Sequence, residues 1–181
     1  MTDQKLNLAN YYNLIDKVES KCAEIIRNFG DHINCKKGCS ECCVHISIFP
    51  VEAAAMAISL KDKVEDDILL ILDKLEVKNT DNCPLLHENK CILYEARPII
   101  CRTHGFPVYF FENSDYHVHV CHHNFGNGIN LPQHAVFDLN HLNKTLFAIN
   151  QMFINKSSDC FKSERMSIAD MIKTHLTIIK E

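Results

Sequence analysis

Apolar residues recur at helical spacing along the first thirty residues of the chain. Tyr11 and Leu14 begin a stripe that continues to Phe29, and Gly30 follows it directly. Apolar positions three or four residues apart line one face of a helix, and glycine commonly ends a helix. The pattern therefore predicts an amphipathic helix over residues 6–29.

A strand and two further helices are predicted before the middle of the chain. Residues 44–49 alternate between apolar and polar positions, which is typical of a short, half-buried strand. Pro50 suits the first turn of a helix that runs through Leu60. Residues 64–77 repeat the helical spacing and predict another helix.

Shorter elements are predicted in the second half of the chain. Pro98 suits the start of a short helix that carries Cys101. Residues 108–111 and 116–120 flank a polar turn, as the two strands of a β-hairpin do. After a loop, a helix capped by Asp138 is expected.

Ser167 and Asp170 have the spacing of a capping box, which predicts the start of the last helix. No internal repeat is present, and no linker rich in proline, glycine or serine divides the chain. The elements together predict a mainly helical α+β fold. We expect a single domain over residues 1–181, with a small β-hairpin region.

Cysteine is the residue that changes this picture, because the 181 residues include 10 Cys beside 11 His and no Trp. The net charge of -4 argues against nucleic-acid binding, which needs a basic surface. No apolar run has the length of a signal peptide or of a membrane span. We therefore expect a cytoplasmic protein with no membrane partner. Its reduced thiols would bind metal or react rather than form disulfides.

Four of the cysteines lie within nine residues, at positions 35, 39, 42 and 43. The first three are close enough to converge on one metal centre, and Gly38 lets the backbone bend closely around it. Cys43 is harder to direct at the same ion, because adjacent side chains diverge in a regular helix or strand. It would serve a second centre, or need an irregular backbone.

A second block adds four more cysteines, Cys83, Cys91, Cys101 and Cys121. Eight clustered thiols match two four-thiolate sites, or one iron–sulfur cluster with thiols to spare. Cys22 lies on the apolar stripe of the first predicted helix, and Cys160 has no cysteine near it in sequence. These two are predicted to take no part in metal binding.

The order of these motifs resembles the YkgJ-type cysteine-cluster family, whose CxxxCxxCC motif corresponds to Cys35 through Cys43. Further matches are Cys83-Pro84-Leu85-Leu86, the run from Cys91 to Arg102, and Cys121. The resemblance covers roughly residues 35 to 121. It implies chelation of zinc or iron by the eight cysteines. Some longer relatives are similar to flagellin lysine methylases.

The spacing favours an iron–sulfur cluster, of the 4Fe-4S type, over zinc. Only Cys39 and Cys42 have the two-residue gap of a zinc knuckle, whereas compact thiols with distant ones suit a cluster. Zinc or iron ions are the alternative, because thiolates also bind these metals. Arg97 and Arg102 are sequence neighbours of the ligands, and we expect them to offset the negative charge of the bound cofactor.

Other chemistries fit the residues less well. The spacing of Cys35, Cys39 and Cys42 occurs in radical S-adenosylmethionine enzymes, but Glu41 stands where those usually have an aromatic residue. Cys101 with His104, or Cys121 with His122, would form a nucleophile and base only if neither thiol bound metal.

His117 and His119 share one face of a predicted strand and are secondary candidates for metal binding. Exposed histidines on a strand are the more common case.

The sequence therefore predicts a metal-binding protein with a redox or electron-transfer role and a redox or protein partner that the residues do not identify. Its metal centre would be cysteine-rich and flanked by helices at both ends of the chain. The alternatives are a structural zinc module and an enzyme related to the flagellin lysine methylases, so catalysis stays open.

Overall fold

The computed structural model describes residues 8–36, 38–76, 81–126, 131–156 and 165–179, without the side chains of 176–179. In chain order the helices are α1 (Ala9–Phe29), α2 (Pro50–Lys61), α3 (Glu65–Glu76), α4 (Ile99–Thr103), α5 (Leu139–Ile154) and α6 (Ile168–Ile179). The strands are β1 (Ser47–Ile48), β2 (Leu86–His87), β3 (Lys90–Cys91), β4 (Val108–Glu112), β5 (Asp115–His119), β6 (Phe137–Asp138) and β7 (Met166–Ser167). The mainly helical α+β class is confirmed.

The chain forms two compact units. Unit 1 comprises Met1–Lys36 and Ile99–Met152, and unit 2 comprises Lys37–Pro98 and Phe153–Glu181. Each unit contains part of the cysteine set, because the boundary at residues 36 and 37 falls inside the first motif. No helix among the described residues is long and apolar enough to cross a membrane.

Helix α1 supplies much of the apolar interior of unit 1. The predicted stripe is confirmed: Tyr11, Leu14, Val18, Cys22 and Ile25 are buried along one face. The short helix α4 packs against α1, where the buried Arg102 forms an ion pair with Glu19 of α1. The start of the predicted helix, residues 6 and 7, lies outside the described residues.

The predicted hairpin is confirmed as β4 and β5, which pair from Val108↔His119 to Glu112↔Asp115. Asn113 and Ser114 form its two-residue turn, both with positive φ, as the twist of a tight hairpin requires. Strand β6 lies parallel to β4 on the other side, so β5 is an outer strand. All five residues of β5 are exposed.

Asp138 caps helix α5 as predicted. Its carboxylate accepts a hydrogen bond from the backbone N–H of His141 at 2.8 Å and another from the Tyr109 hydroxyl at 2.6 Å. The Tyr109 hydroxyl, and then the backbone N–H, hold the pKa of Asp138 below its ordinary value of 3.8. The ionised carboxylate is therefore the form that stabilises the fold.

Replacing Asp138 by alanine should lower the free energy of unfolding at neutral pH by about 1 kcal/mol, because the helix loses its cap. The folded pKa is depressed, so this contribution is complete above the unfolded value and is lost as the pH falls through the folded value. Asp138→Asn is the matched control, since its amide oxygen still caps the helix. Urea denaturation at several pH values tests this. Equal stability of Asp138→Ala and wild type at pH 7 would contradict the capping role.

Unit 2 has its own hydrophobic core, formed where α2, α3 and α6 meet. Its members with the least exposure include Ile48, Leu60, Ile71, Met171 and Ile172. The side chains of Cys83 and Cys91 pack against this core while remaining only partly buried.

The strand predicted over residues 44–49 is shorter in the structure. Only Ser47 and Ile48 form β1, which pairs with the two residues of β7. Strand β7 ends at Ser167 because this residue caps helix α6. Its hydroxyl accepts a hydrogen bond from the backbone N–H of Asp170 at 3.0 Å. Val44 forms a single bridge with Asn82.

Candidate metal centre

The part of the first cysteine motif that lies in unit 2, residues 38–43, folds as a tight, irregular turn. Gly38 has a φ of 105°, which other residues rarely adopt. The backbone N–H of Cys43 donates to the oxygen of Ser40 at 2.9 Å, and that of Val44 donates to the oxygen of Cys42 at 3.0 Å. These bonds hold residues 40–44 in an irregular turn rather than in a regular helix or strand. This irregular backbone is one of the two possibilities that the sequence left open for Cys43.

Backbone hydrogen bonds join this turn to the second block of cysteines. The N–H of Cys83 donates to the oxygen of Cys43 at 2.9 Å, and the N–H of Leu86 donates to the oxygen of Cys83 at 3.0 Å. Leu86 is paired with Cys91 across the hairpin of β2 and β3. Cys43, Cys83 and Cys91 thus lie on three segments that are directly connected.

The tip of the β2–β3 hairpin contacts the first motif as well. Glu88 and Asn89 form its turn, both with positive φ. The hydroxyl of Ser40 donates to the side-chain oxygen of Asn89 at 2.9 Å. The motif is therefore fixed at two points, by Cys83 at one end of the hairpin and by Asn89 at the other.

Four thiols of unit 2 disfavour ionisation in the absence of a cation, those of Cys42, Cys43, Cys83 and Cys91. Burial, and then the charges of Cys91 and Cys43, raise the pKa of Cys83 to about 11. Burial, followed by the charge of Cys43, raises the pKa of Cys42 to about 11. Burial also raises the pKa values of Cys43 and Cys91. These thiols crowd one another, and a bound metal ion would relieve that repulsion.

Arg97 lies beside this group and partly offsets its charge. The guanidinium of Arg97 lies 3.6 Å from the centre of the Tyr94 ring. Its Nε–H donates a hydrogen bond to the backbone oxygen of Tyr94 at 2.8 Å. From this position its charge favours the thiolates of Cys43 and Cys91 and so opposes the rise that burial causes in the pKa of each. The placement is consistent with the charge-balancing role expected for Arg97.

The other arginine singled out by the sequence is placed differently. The charge of Arg102 is balanced by Glu19 within unit 1, and its backbone oxygen accepts from the thiol of Cys22 at 3.6 Å. A role for Arg102 toward a cofactor stays a prediction. Cys22 is buried within unit 1, and its exclusion from the ligand set stays a prediction. Cys160 lies outside the described residues.

Unit 1 contains Cys35, Cys101 and Cys121, and Asn124 holds the segments that carry Cys35 and Cys121. The side-chain oxygen of Asn124 accepts from the backbone N–H groups of Asn34 at 2.8 Å and Cys35 at 3.0 Å. Its backbone N–H donates to the oxygen of Cys121 at 2.8 Å. Sequence reasoning missed this residue, since a single asparagine after Cys121 carries no motif.

Asn124 also forms a hydrogen bond to the loop that follows helix α4, the helix that carries Cys101. Its side-chain NH2 donates to the backbone oxygen of Gly105 at 2.6 Å. Gly105 has a φ of 94°, and a Cβ atom there would lie 2.9 Å from Sγ of Cys35. The sulfur of Cys35 therefore packs directly on the backbone of Gly105, a second position that the sequence did not mark.

The histidines considered as secondary ligands lie on the exposed hairpin. His117 and His119 occupy alternate positions of β5, so they share a face as predicted. Burial, and then the charge of His119, lower the pKa of His104. Metal binding by these histidines stays a prediction.

The donor set fits zinc or iron, which bind thiolates well. None of the nine cysteines among the described residues is in a disulfide, so all nine sulfurs have the thiol chemistry a metal needs. Within unit 2, no three of the described thiol sulfurs all lie within 4.8 Å of one another. Binding would therefore draw the side chains inward, which couples metal to local order.

A comparison with protein families identifies the motif-bearing region. The family model CxxCxxCC, described as a "putative zinc- or iron-chelating domain", matches residues 34–122. These residues belong to that cysteine-cluster family. The cysteine-cluster domain includes all eight candidate ligands, from Cys35 to Cys121, and leaves out Cys22 and Cys160. The resemblance to this family in the sequence is thereby confirmed. No curated protein and no solved structure matched the chain.

Proposed function

We propose that the chain is a metal-binding protein whose eight clustered cysteines chelate zinc or iron, with an iron–sulfur cluster of the 4Fe-4S type as the favoured form. The observation that carries this is the group of thiols in unit 2. Three backbone segments joined by hydrogen bonds bring Cys43, Cys83 and Cys91 together beside the cation of Arg97. A cation-binding role explains why thiols that disfavour ionisation are crowded here.

A bound cluster would supply a site that takes up and releases single electrons. The cysteine side chains would hold it, and Arg97 would stabilise its negative charge. The spacing of the ligands favours this form, because only Cys39 and Cys42 are spaced as in a zinc knuckle. A redox or electron-transfer role follows from this choice of metal and is tested with it.

Anaerobic purification, metal analysis and a visible absorption spectrum test the proposal. We expect bound iron and sulfide, a coloured protein and a reversible redox couple. A colourless protein with stoichiometric zinc, unable to take up a cluster on anaerobic reconstitution, would overturn the iron–sulfur form. A protein that binds neither metal would overturn the proposed function altogether.

A structural zinc module is the second candidate, and one observation favours it. Cys83 and Cys91 pack against the hydrophobic core of unit 2, so that a closed metal site there would complete the core. Under this alternative the metal has no redox couple. Its removal unfolds the protein, which thermal denaturation with and without a chelator would detect.

A further inference from the structure

We infer that two copies of the chain associate through the outer edge of strand β5, which pairs antiparallel with the same strand of the second copy about a two-fold axis at His117. The inference goes beyond the proposed metal-binding function and does not depend on it. The pairing joins the three-stranded sheets of the two copies into one continuous sheet, with the same surface used on both sides.

The backbone of β5 alternates between groups that bond to β4 and groups that point to the outer edge. A two-residue turn closes with a hydrogen bond between the residues that flank it, here Glu112 and Asp115. Bonded and non-bonded pairs then alternate along an antiparallel ladder. The N–H and C=O groups of His117 therefore point to β4, whereas those of Tyr116 and Val118 point outward. No other described strand pairs with this outer edge.

A two-fold axis at His117 brings the outward groups of the two strands into register. Tyr116 of one copy then lies opposite Val118 of the other, and the two residues exchange both of their backbone hydrogen bonds. The pair occurs twice by symmetry, so every outward group of these residues finds a partner. An axis at Tyr116 or at Val118 would pair only that residue with its own copy within the strand. The backbone therefore favours the axis at His117.

The side chains on one face of β5 are complementary about the same axis. Asp115 of one copy lies opposite His119 of the other, in a non-hydrogen-bonded pair, where facing side chains come closest. A carboxylate accepts a hydrogen bond from an imidazole N–H, and a protonated ring strengthens that bond. His117 meets its own copy at the axis, and its ring stacks on Phe110 of β4 with the centroids 5.4 Å apart. This stacking holds each ring toward its own hairpin.

The opposite face of the strand presents apolar side chains to the second copy. Tyr116 and Val118 are exposed there, and the ring centroids of Tyr116 and Phe111 lie 4.9 Å apart. In the pairing, Tyr116 packs against Val118 of the second copy, and such aromatic and β-branched pairs stabilise a sheet. Apolar surface of both copies leaves water when it forms, which favours association. The contact is confined to one short strand from each copy, so we expect a weak, reversible dimer.

Sedimentation equilibrium of the full chain over a range of concentrations tests the inference. A reducing buffer excludes intermolecular disulfides, and a parallel series with a chelator excludes a dimer bridged by metal. Wild type should form a reversible dimer in both series. Asp115→Lys and His119→Asp should each raise the dimer dissociation constant by about tenfold, because each removes an attraction that occurs twice.

Two further variants show whether those residues face each other. The double variant with Asp115→Lys and His119→Asp restores opposite charges across the axis, and its dissociation constant should return to within about threefold of wild type. Asp16→Lys changes the net charge by the same amount as Asp115→Lys at an exposed position of α1 and should dimerise like wild type. A wild-type chain that stays monomeric would overturn the inference. So would a dimer that Asp115→Lys and Asp16→Lys weaken equally.

Amide hydrogen exchange of the wild-type chain, measured by NMR at low and high concentration, tests the pairing without any variant. The amides of Tyr116 and Val118 should exchange more slowly as the concentration rises, because they become bonded only in the dimer. The amide of His117 is bonded to β4 in each copy and should change less. A dimer that slows exchange in other segments and leaves Tyr116 and Val118 unchanged would overturn the inference.

Discussion

Replacing Asn124 by alanine should destabilise the protein by about 3 kcal/mol, with a matching fall in the midpoint of urea denaturation. Asn124 is 2% exposed, and its side chain satisfies two backbone N–H groups and one backbone oxygen. Alanine leaves these three backbone groups without that partner. A buried polar group that loses its hydrogen bond costs about 1–3 kcal/mol, and water entering the gap offsets part of the sum.

Two further variants separate the hydrogen bonds of Asn124 from a general effect of mutation. Asn124→Asp keeps the oxygen that accepts from Asn34 and Cys35 but places a carboxylate oxygen against the backbone oxygen of Gly105. It should be destabilised as well, because two acceptors then face each other. Asn34→Ala removes an exposed side chain and should cost less than Asn124→Ala. Wild-type stability of Asn124→Ala would show that the loops do not depend on this residue.

Replacing Gly105 by alanine should cost about 2–4 kcal/mol, since two effects act together. The φ of 94° is strained for any residue with a Cβ atom. The new methyl group would also lie 2.9 Å from Sγ of Cys35 and 3.2 Å from the side-chain nitrogen of Asn124. The thiol must move to make room, and such crowding costs about 1–3 kcal/mol.

Gly30→Ala is the control for this substitution, because no atom lies within 4 Å of a Cβ added there and its φ is negative. It should leave the thermal midpoint unchanged or raise it slightly. If Gly105→Ala unfolds at the same temperature as Gly30→Ala, the close packing of Cys35 on Gly105 contributes nothing to the stability of the fold. The effects of Gly105→Ala and Asn124→Ala should not be additive, since the two residues share a hydrogen bond.

Local signals in the sequence predicted the helices and the hairpin correctly. The apolar stripe of α1, the proline at the start of α2 and the cap of α5 depend on a few neighbouring residues. The two-residue turn of the β4–β5 hairpin is also a local feature. Such elements are predictable because each follows from spacing and from the chemistry of its own ends.

The grouping of the cysteines could not be derived in the same way. A backbone hydrogen bond joins Cys43 to Cys83, which is far from it in sequence. Asn124 hydrogen-bonds to Cys35 across 89 residues of sequence, and Gly105 packs on the sulfur of Cys35 from another distant part of the chain. No local pattern encodes either contact. The ion pair of Arg102 with Glu19 depends on the packing of two helices. The positions of these residues therefore depend on contacts between distant parts of the chain, which the motif alone does not predict.

No other described strand pairs with the outer edge of β5, and this edge affects how the protein behaves at high concentration. Native outer strands commonly carry lysine, proline or a bulge that prevents them from pairing with another molecule. Asp115–His119 contains neither of these residues, and its pairing with β4 is continuous. Tyr116 and Val118 are 76% and 65% exposed on one face of the hairpin. This strand is where self-association and aggregation would begin, so a lysine in place of His117 is the substitution to choose for keeping concentrated samples monomeric.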